Sequence, residues 1–214
     1  MSFFGLLRKR ADEEIEEMEE PSVSAAEMAE AEEYHEAGVR LFTLGFYEEA
    51  LKEFRRAVRK WPTWAELHND IGLTYDRMGR PAEAVKSYQQ AVRAEESYSE
   101  AYNNLGQAYI SQGMYLEAIR PLLQAIRLKP DFLEAIHNLG QAYFHRGCYP
   151  EAVRACQKAL HVNPNFVESH YLLGSVYVDL KDQESAMKEY AELQTLDPAS
   201  ANELLNLIRN TFPV

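Results

Sequence analysis

A glycine recurs at a constant interval through most of the chain. It stands at Gly38, Gly72, Gly106, Gly140 and Gly174, with 34 residues from each to the next. One supersecondary unit is therefore repeated without insertion or deletion, because any inserted residue would shift every later glycine. The chain has to fold as a stack of equivalent units, in which each unit buries its apolar face against its neighbours.

Other residue types keep the same register as the glycines. A tyrosine or leucine stands three residues after each glycine, an alanine twelve after, and mostly a large side chain sixteen after. The alanines are Ala50, Ala84, Ala118, Ala152 and Ala186, and the residues sixteen after the glycines are Phe54, Tyr88, Leu122, Cys156 and Tyr190. Proline stands near the end of four units, where it would end a helix. We divide the chain into repeats 31–64, 65–98, 99–132, 133–166 and 167–200.

This pattern of glycine, tyrosine, alanine and proline on a period of 34 residues resembles the tetratricopeptide repeat family. The resemblance covers residues 31 to 200. It implies an all-α fold, a right-handed α-solenoid, or superhelix, of antiparallel helix pairs, in which each repeat has a helix A, a tight turn and a helix B. A further helix at about 201–210, with Leu204, Leu207 and Ile208 on one side, is expected to cap the stack, since the end of a solenoid needs a polar outer face.

The glycines carry two structural predictions. Gly38 and its equivalents are expected to be contact points between helices, paired with the small alanines of the following helix. A second set of glycines marks the turn between helix A and helix B, at Gly45, Gly79, Gly113 and Gly147. The fifth repeat has Lys181 in that place, so its turn is expected to differ.

Composition excludes several functional classes. The net charge is −12, which argues against nucleic acid as a partner because phosphate binding needs clustered positive charge. No phosphate loop, nucleophile elbow or zinc-ligand spacing is present, so we expect no cofactor, no metal and no enzymatic activity. Cys148 in a turn and Cys156 in a core column do not suggest a disulfide framework, which favours a reducing, cytoplasmic location.

The N-terminal segment at 1–23 differs from the solenoid, which is assigned to 24–214. Apolar residues precede three basic ones within residues 3–10, an order opposite to that of a secretory signal. This stretch is expected either to be disordered or to touch a membrane surface. Residues 12–20 hold seven carboxylates, which predicts a solvated, extended linker. Ser24 and Glu27 have the spacing of a capping box that starts the first helix early.

The family resemblance places the concave face of the superhelix on helix A and suggests a peptide site there. The predicted binding residues are Asn69, Asn103, Asn104, Gln107, His137, Asn138, Gln141 and Tyr171. Amide side chains both donate and accept hydrogen bonds, so a ladder of them can hold the backbone of an extended peptide. Asp70, Asn104 and Asn138 partly resemble the asparagine ladder of O-linked N-acetylglucosamine transferase. The alternative is that these amides are solvated or bridge neighbouring repeats.

Charged rows constrain the partner. A glutamate stands six residues before each repeat glycine, at Glu32, Glu66, Glu100, Glu134 and Glu168. The first turn of a helix favours such acidic residues, and the row could also form an acidic edge for basic peptides. The lysines and arginines that a clamp for a C-terminal carboxylate needs are absent from these rows. Lys52, Arg55, Arg56 and Arg59 form a basic stripe that is either a solvated face or a contact for residues 12–20.

The sequence therefore predicts a non-enzymatic scaffold or adaptor that binds a protein or peptide in its concave groove. The expected ligand is extended and neutral to basic. One alternative is an assembly factor that residues 3–10 localise to a membrane surface. An enzyme is the third and least supported class, and self-association stays open because solenoid ends and grooves can capture another copy.

Overall fold

The structure is a computed structural model that describes residues 23–212, and this part of the chain is entirely helical apart from its turns. The first ten helices form five consecutive antiparallel pairs, which confirms the all-α repeat fold. We number them α1 Ala25–Thr43, α2 Tyr47–Lys60, α3 Ala65–Arg77, α4 Pro81–Ala94, α5 Ser99–Ser111, α6 Tyr115–Leu128, α7 Leu133–His145, α8 Tyr149–Val162, α9 Val167–Asp179, α10 Gln183–Leu196 and α11 Pro198–Thr211. Odd-numbered helices up to α9 are helix A of each repeat, and the following even-numbered helices are helix B.

The first helix begins before the repeat register because Ser24 caps it. The Glu27 backbone N–H donates to Ser24 Oγ at 3.3 Å, and the Ser24 backbone N–H donates to the Glu27 carboxylate at 3.0 Å. The predicted capping box is confirmed, and its hydrogen bonds lower the pKa of Glu27. With 19 residues, α1 places Glu32 well inside the helix. The first-turn account of the glutamate row therefore holds for Glu66 and its later equivalents, and it is wrong for Glu32.

Four of the five repeat glycines face large side chains, not the alanines that the sequence suggested. A Cβ added to Gly38 would lie 2.5 Å from the ring of Phe54, and one added to Gly72 would lie 2.5 Å from the ring of Tyr88. Real Cβ contacts are never this short, so only glycine admits the aromatic ring against the helix A backbone. The predicted glycine–alanine pairing is wrong at these positions, and among the five repeat glycines it holds at Gly140, where an added Cβ would lie 3.3 Å from the Cβ of Ala155.

The fifth turn has the same backbone as the other four. Gly45, Gly79, Gly113 and Gly147 have φ between 69° and 84°, and Lys181 has φ 62°. The Asp182 backbone N–H donates to the Tyr177 carbonyl at 2.9 Å, which reproduces the bond that closes each of the other turns. The prediction that this turn differs is wrong, because the contacts of the repeat impose a left-handed conformation that costs a lysine about 1–2 kcal/mol.

The last helix closes the stack. It starts at Pro198, three residues before the predicted start at 201, because the Asp197 side chain caps the backbone N–H groups of Ala199 and Ser200. Leu204 and Ile208 are buried, whereas Leu207 is 38% exposed. Leu204 packs directly against Gly174, so α11 supplies the contact that helix B supplies in the first three repeats.

The core follows the stack as a series of apolar clusters between neighbouring helices. Cys156 belongs to it, is fully buried and has a pKa raised to about 12, mainly by burial. Cys148 is half-buried, and both thiols are free. Within residues 23–212, no helix is both long and apolar enough to cross a bilayer. The predictions for residues 3–10 and 12–20 fall outside the described residues.

Candidate functional site

Polar side chains link each helix A to the next along one edge of the stack. Each bond joins the residue three before one repeat glycine to the residue two before the following glycine. The bonds are His35 Nε2 to the Asp70 carboxylate at 2.7 Å, Asn104 Nδ2 to Asn69 Oδ1 at 2.9 Å, and Asn138 Nδ2 to Asn103 Oδ1 at 3.0 Å. We call this row the inter-repeat ladder.

Four of the eight predicted binding residues belong to the inter-repeat ladder. Asn69 is 5% exposed and Asn103 is 7% exposed, so both amides lie below the surface of the groove. Asn104 and Asn138 are half-buried and each donates one N–H to the preceding repeat. Since a buried amide must be hydrogen-bonded, these contacts account for the amides structurally, and each donor amide keeps a second N–H for another acceptor.

The ladder changes between the fourth and fifth repeats. Leu172 stands where the ladder requires a polar residue, and it is buried. His137 instead hydrogen-bonds Ser169 Oγ at 3.1 Å through Nδ1, and its ring meets the edge of Phe166 at a centroid distance of 5.4 Å. Burial lowers the pKa of His137, with an opposing contribution from Glu168. The imidazole is therefore neutral at physiological pH.

A cleft of about 510 Å³ opens at this point, between helix A of the last two repeats and the start of α11. We call it the C-terminal cleft. It brings together three of the predicted binding residues, with aromatic, imidazole and acidic neighbours. Its lining includes His137, Gln141, Phe144, His145, Glu168, Tyr171, Ser175 and Glu203. An aromatic wall beside carboxylates suits a cationic side chain, which can stack on a ring and pair with a carboxylate.

The electrostatics of the C-terminal cleft are acidic. Glu168 and Glu203 are exposed at its rim. Asp197 also lines it, but its carboxylate is already engaged, because it accepts from the Ser200 backbone N–H at 3.1 Å and from Ser200 Oγ at 2.6 Å. These bonds lower the pKa of Asp197. The pKa of Tyr171 is raised, first by burial and then by Glu203, so its hydroxyl stays protonated and can donate.

The remaining predicted residue, Gln107, lies in a different cleft. It is exposed and lines a space of about 550 Å³ between the second and third repeats, together with Asp76, Arg77 and Ser111. The eight predicted residues are therefore distributed as four in the ladder, three in the C-terminal cleft and one here.

Sequence reasoning missed Phe144 and Glu203. Phe144 lies four residues after Gly140, whereas the tyrosines of the repeat pattern lie three residues after their glycines and point to a different face of helix A. A comparison of the residues four after each repeat glycine could have found it. Glu203 comes from α11, which lies outside the 34-residue register. Its placement depends on how the last helix docks, which the period does not specify.

The basic stripe on α2 is exposed and partly engaged. Arg56 pairs with Glu53 at 2.9 Å, and Arg55 Nη2 donates to the Tyr75 hydroxyl at 2.9 Å. Lys60, at the end of α2, pairs with Glu30 near the start of α1 at 2.6 Å. The contact of this stripe with residues 12–20 stays a prediction.

Comparison with known families gives the class of the chain. Three tetratricopeptide repeat family models match residues 69–131, 134–166 and 167–200. Together these matches cover more than half of the 214 residues. The chain belongs to the tetratricopeptide repeat family. Among curated protein sequences, none matches it.

Solved structures share the fold. The crystal structure of MamA is 25% identical, aligns with 77% of this chain and 96% of its own, and has a TM-score of 0.72. MamA from residue 41 to its end, from Desulfovibrio magneticus RS-1, is 21% identical, aligns with 83% and 98%, and has a TM-score of 0.76. YrrB, described as a tetratricopeptide repeat protein with an unusual peptide-binding site, is 19% identical, aligns with 81% and 90%, and has a TM-score of 0.71.

Proposed function

We propose that this protein is a non-enzymatic, cytoplasmic scaffold that binds a segment of another protein along the helix A face of its solenoid. The observation that carries the proposal is the C-terminal cleft, where Gln141, Tyr171 and His137 converge with Phe144 at the point where the inter-repeat ladder changes. The family membership and the peptide-binding site named for YrrB support the same function.

The ligand that fits best is an extended segment with a basic side chain. A lysine or arginine would stack on Phe144 or Tyr171 and pair with Glu168 or Glu203, the two rim carboxylates. Gln141 would hydrogen-bond the ligand backbone, because an amide offers both a donor and an acceptor. Further along the stack, Gln107 and the free N–H groups of the ladder amides would continue the contact with the backbone.

The test is affinity capture from native lysate followed by mass spectrometry. Wild type is compared with Gln141→Ala/Tyr171→Ala, and the matched control is Lys86→Ala/Gln90→Ala, two exposed side chains on α4. We expect partners that wild type and the control retain and that the cleft variant loses. Thermal unfolding of each variant verifies that the fold is intact. Capture of the same proteins by all three chains would remove the cleft as the binding site.

A further inference from the structure

The third repeat presents two leucines to solvent on α6. Leu116 is 60% exposed and Leu123 is 47% exposed. They are seven residues apart, which is about two helical turns, so they lie on one face with Ile119 between them. These side chains line a cleft of about 570 Å³ that runs along α6 and is bordered by the end of α7. We call it the α6 cleft.

The other repeats show that the solenoid does not need leucine at these places. Ten residues after the repeat glycine, the equivalents of Leu116 are Glu48, Ala82, Pro150 and Glu184. Seventeen residues after it, the equivalents of Leu123 are Arg55, Gln89, Gln157 and Ala191. All of these repeats form helix B in the same register. The two leucines are therefore specific to the third repeat, and folding does not explain them.

The α6 cleft is also basic. Arg120 and Arg127 line it from α6, and Arg146 lines it from the residue that follows α7. No carboxylate is among the described residues that line it. Within residues 23–212, the arginines that form ion pairs are Arg40, Arg56, Arg80 and Arg154. The three guanidinium groups of the cleft thus stand beside exposed apolar surface and form no ion pair with a described carboxylate, although Glu96 and Glu117 line the neighbouring cleft that Arg120 and Arg127 share. The net charge of the chain is −12.

We propose that the α6 cleft is a docking surface for an acidic amphipathic helix of a partner protein. Leu116 to Arg127 spans about 17 Å along α6, the length of about three turns of a ligand helix. Apolar residues of the ligand spaced by one helical turn would cover the two leucines. Carboxylates flanking them would pair with the three arginines, and charge complementarity selects this class of ligand. The surface is separate from the C-terminal cleft, so the proposal does not rest on the proposed function.

The test uses a synthetic probe and the full chain. The probe is a fluorescent peptide of about 14 residues, long enough for four helical turns, with leucines on one helical face and glutamates on the others. Fluorescence anisotropy gives its Kd. We expect Leu116→Ala/Leu123→Gln to weaken binding at least about tenfold, since covering two exposed leucines removes their apolar area from water and both substitutions lose that contribution. Both substitutions introduce residues that other repeats carry at the same positions, so folding is expected to survive.

Charge provides a second, matched comparison. Arg120→Glu/Arg127→Glu should weaken binding of the probe at least about tenfold and reduce the dependence of Kd on salt concentration. Lys86→Glu is the control, because Lys86 is the exposed equivalent of Arg120 in the second repeat. Lys86→Glu should change Kd by less than about twofold, because Lys86 does not line the α6 cleft.

Three outcomes would overturn the proposal. One is equal binding of a peptide with the same composition but leucines spread around the helix, which would indicate charge attraction alone. Another is unchanged binding by the leucine variant. The third is much tighter binding by Glu13→Gln/Glu14→Gln/Glu16→Gln/Glu17→Gln, which would show that the acidic segment of this chain, and not a partner, occupies the cleft.

Discussion

The first three repeats and the last two differ in what packs against the repeat glycine of helix A. In the first three, a repeat glycine admits Phe54, Tyr88 or Leu122 against helix A, and the inter-repeat ladder begins in each. In the fourth, Gly140 faces the smaller Cys156, and in the fifth the cap helix takes over the contact. The C-terminal cleft lies between these last two repeats, where both the glycine contact and the inter-repeat ladder change. A strict repeat builds the scaffold, and the departure from it coincides with the C-terminal cleft.

The largest expected difference between the two regions comes from replacing a repeat glycine by alanine in each of them. Gly72→Ala places a Cβ about 2.5 Å from the fully buried ring of Tyr88, so we expect a loss of about 2–3 kcal/mol in the free energy of unfolding. Gly140→Ala meets Ala155 and Cys156 at 3.3 Å, and the better helix propensity of alanine offsets this contact to within about 1 kcal/mol of zero. Urea unfolding measures both. Equal losses would show that the two repeats are packed alike.

The ladder can be measured by a double-mutant cycle. Asn103→Ala and Asn138→Ala should each destabilise the protein, and the double variant should reveal a coupling of about 1 kcal/mol, typical of a neutral hydrogen bond. His137→Ala with Ser169→Ala is the matched cycle at the junction where the ladder changes. Absence of coupling between Asn103 and Asn138 would mean that the hydrogen bond between them contributes no stability.

The fifth turn offers a smaller, stabilising change. Lys181→Gly removes a side chain from a backbone with φ 62° and should raise the free energy of unfolding by about 0.5–1 kcal/mol. Gly147→Lys, the reciprocal substitution in the fourth turn, should lower it by a similar amount. Thermal and urea unfolding of the pair provide the comparison. If Lys181→Gly destabilises the protein, contacts of the lysine outweigh the strain of its backbone.

The smallest expected effect is a pH dependence at the C-terminal cleft. Burial holds the pKa of His137 below its unfolded value of about 6.5, so the unfolded chain binds this proton first as pH falls. The contribution of His137 is therefore present above that value and decreases as pH falls through it towards the folded pKa. His137→Gln should reduce the difference in stability between about pH 7.5 and about pH 5.5. An unchanged difference would assign the pH dependence to other groups.

The glycine period, with the residue types that keep its register, was sufficient to predict the fold because the combined pattern resembles the tetratricopeptide repeat family. It gave the five helix pairs and the turns at Gly45 and its equivalents, and the Ser24–Glu27 spacing gave the start of α1. It could not identify what faces each glycine, since that depends on how two helices cross. It also could not show that Lys181 would accept a left-handed backbone, which the surrounding contacts impose.

The candidate site was less predictable, for a physical reason. An asparagine on helix A can bind a ligand or the next repeat, and sequence alone does not show which acceptor lies nearer. The structure assigns Asn69 and Asn103 to the next repeat. Glu203 enters the C-terminal cleft because α11 docks across the last repeat, outside the 34-residue register, whereas Phe144 lies within the register on α7. Repeat periodicity thus identifies which face is exposed before it identifies which side chains act there.

The early start of α1 also determines how the molecule can be attached to a surface. Because α1 begins at Ala25, six residues before the repeat boundary at 31, its first turns project about 9 Å beyond the edge where the other repeats begin. A tether placed ahead of Ser24 would therefore hold the solenoid at a distance and leave its far end accessible. A tether at the other terminus would leave the chain beside α11, whose Glu203 lines the C-terminal cleft. Sensor experiments should immobilise the protein through its N-terminal side.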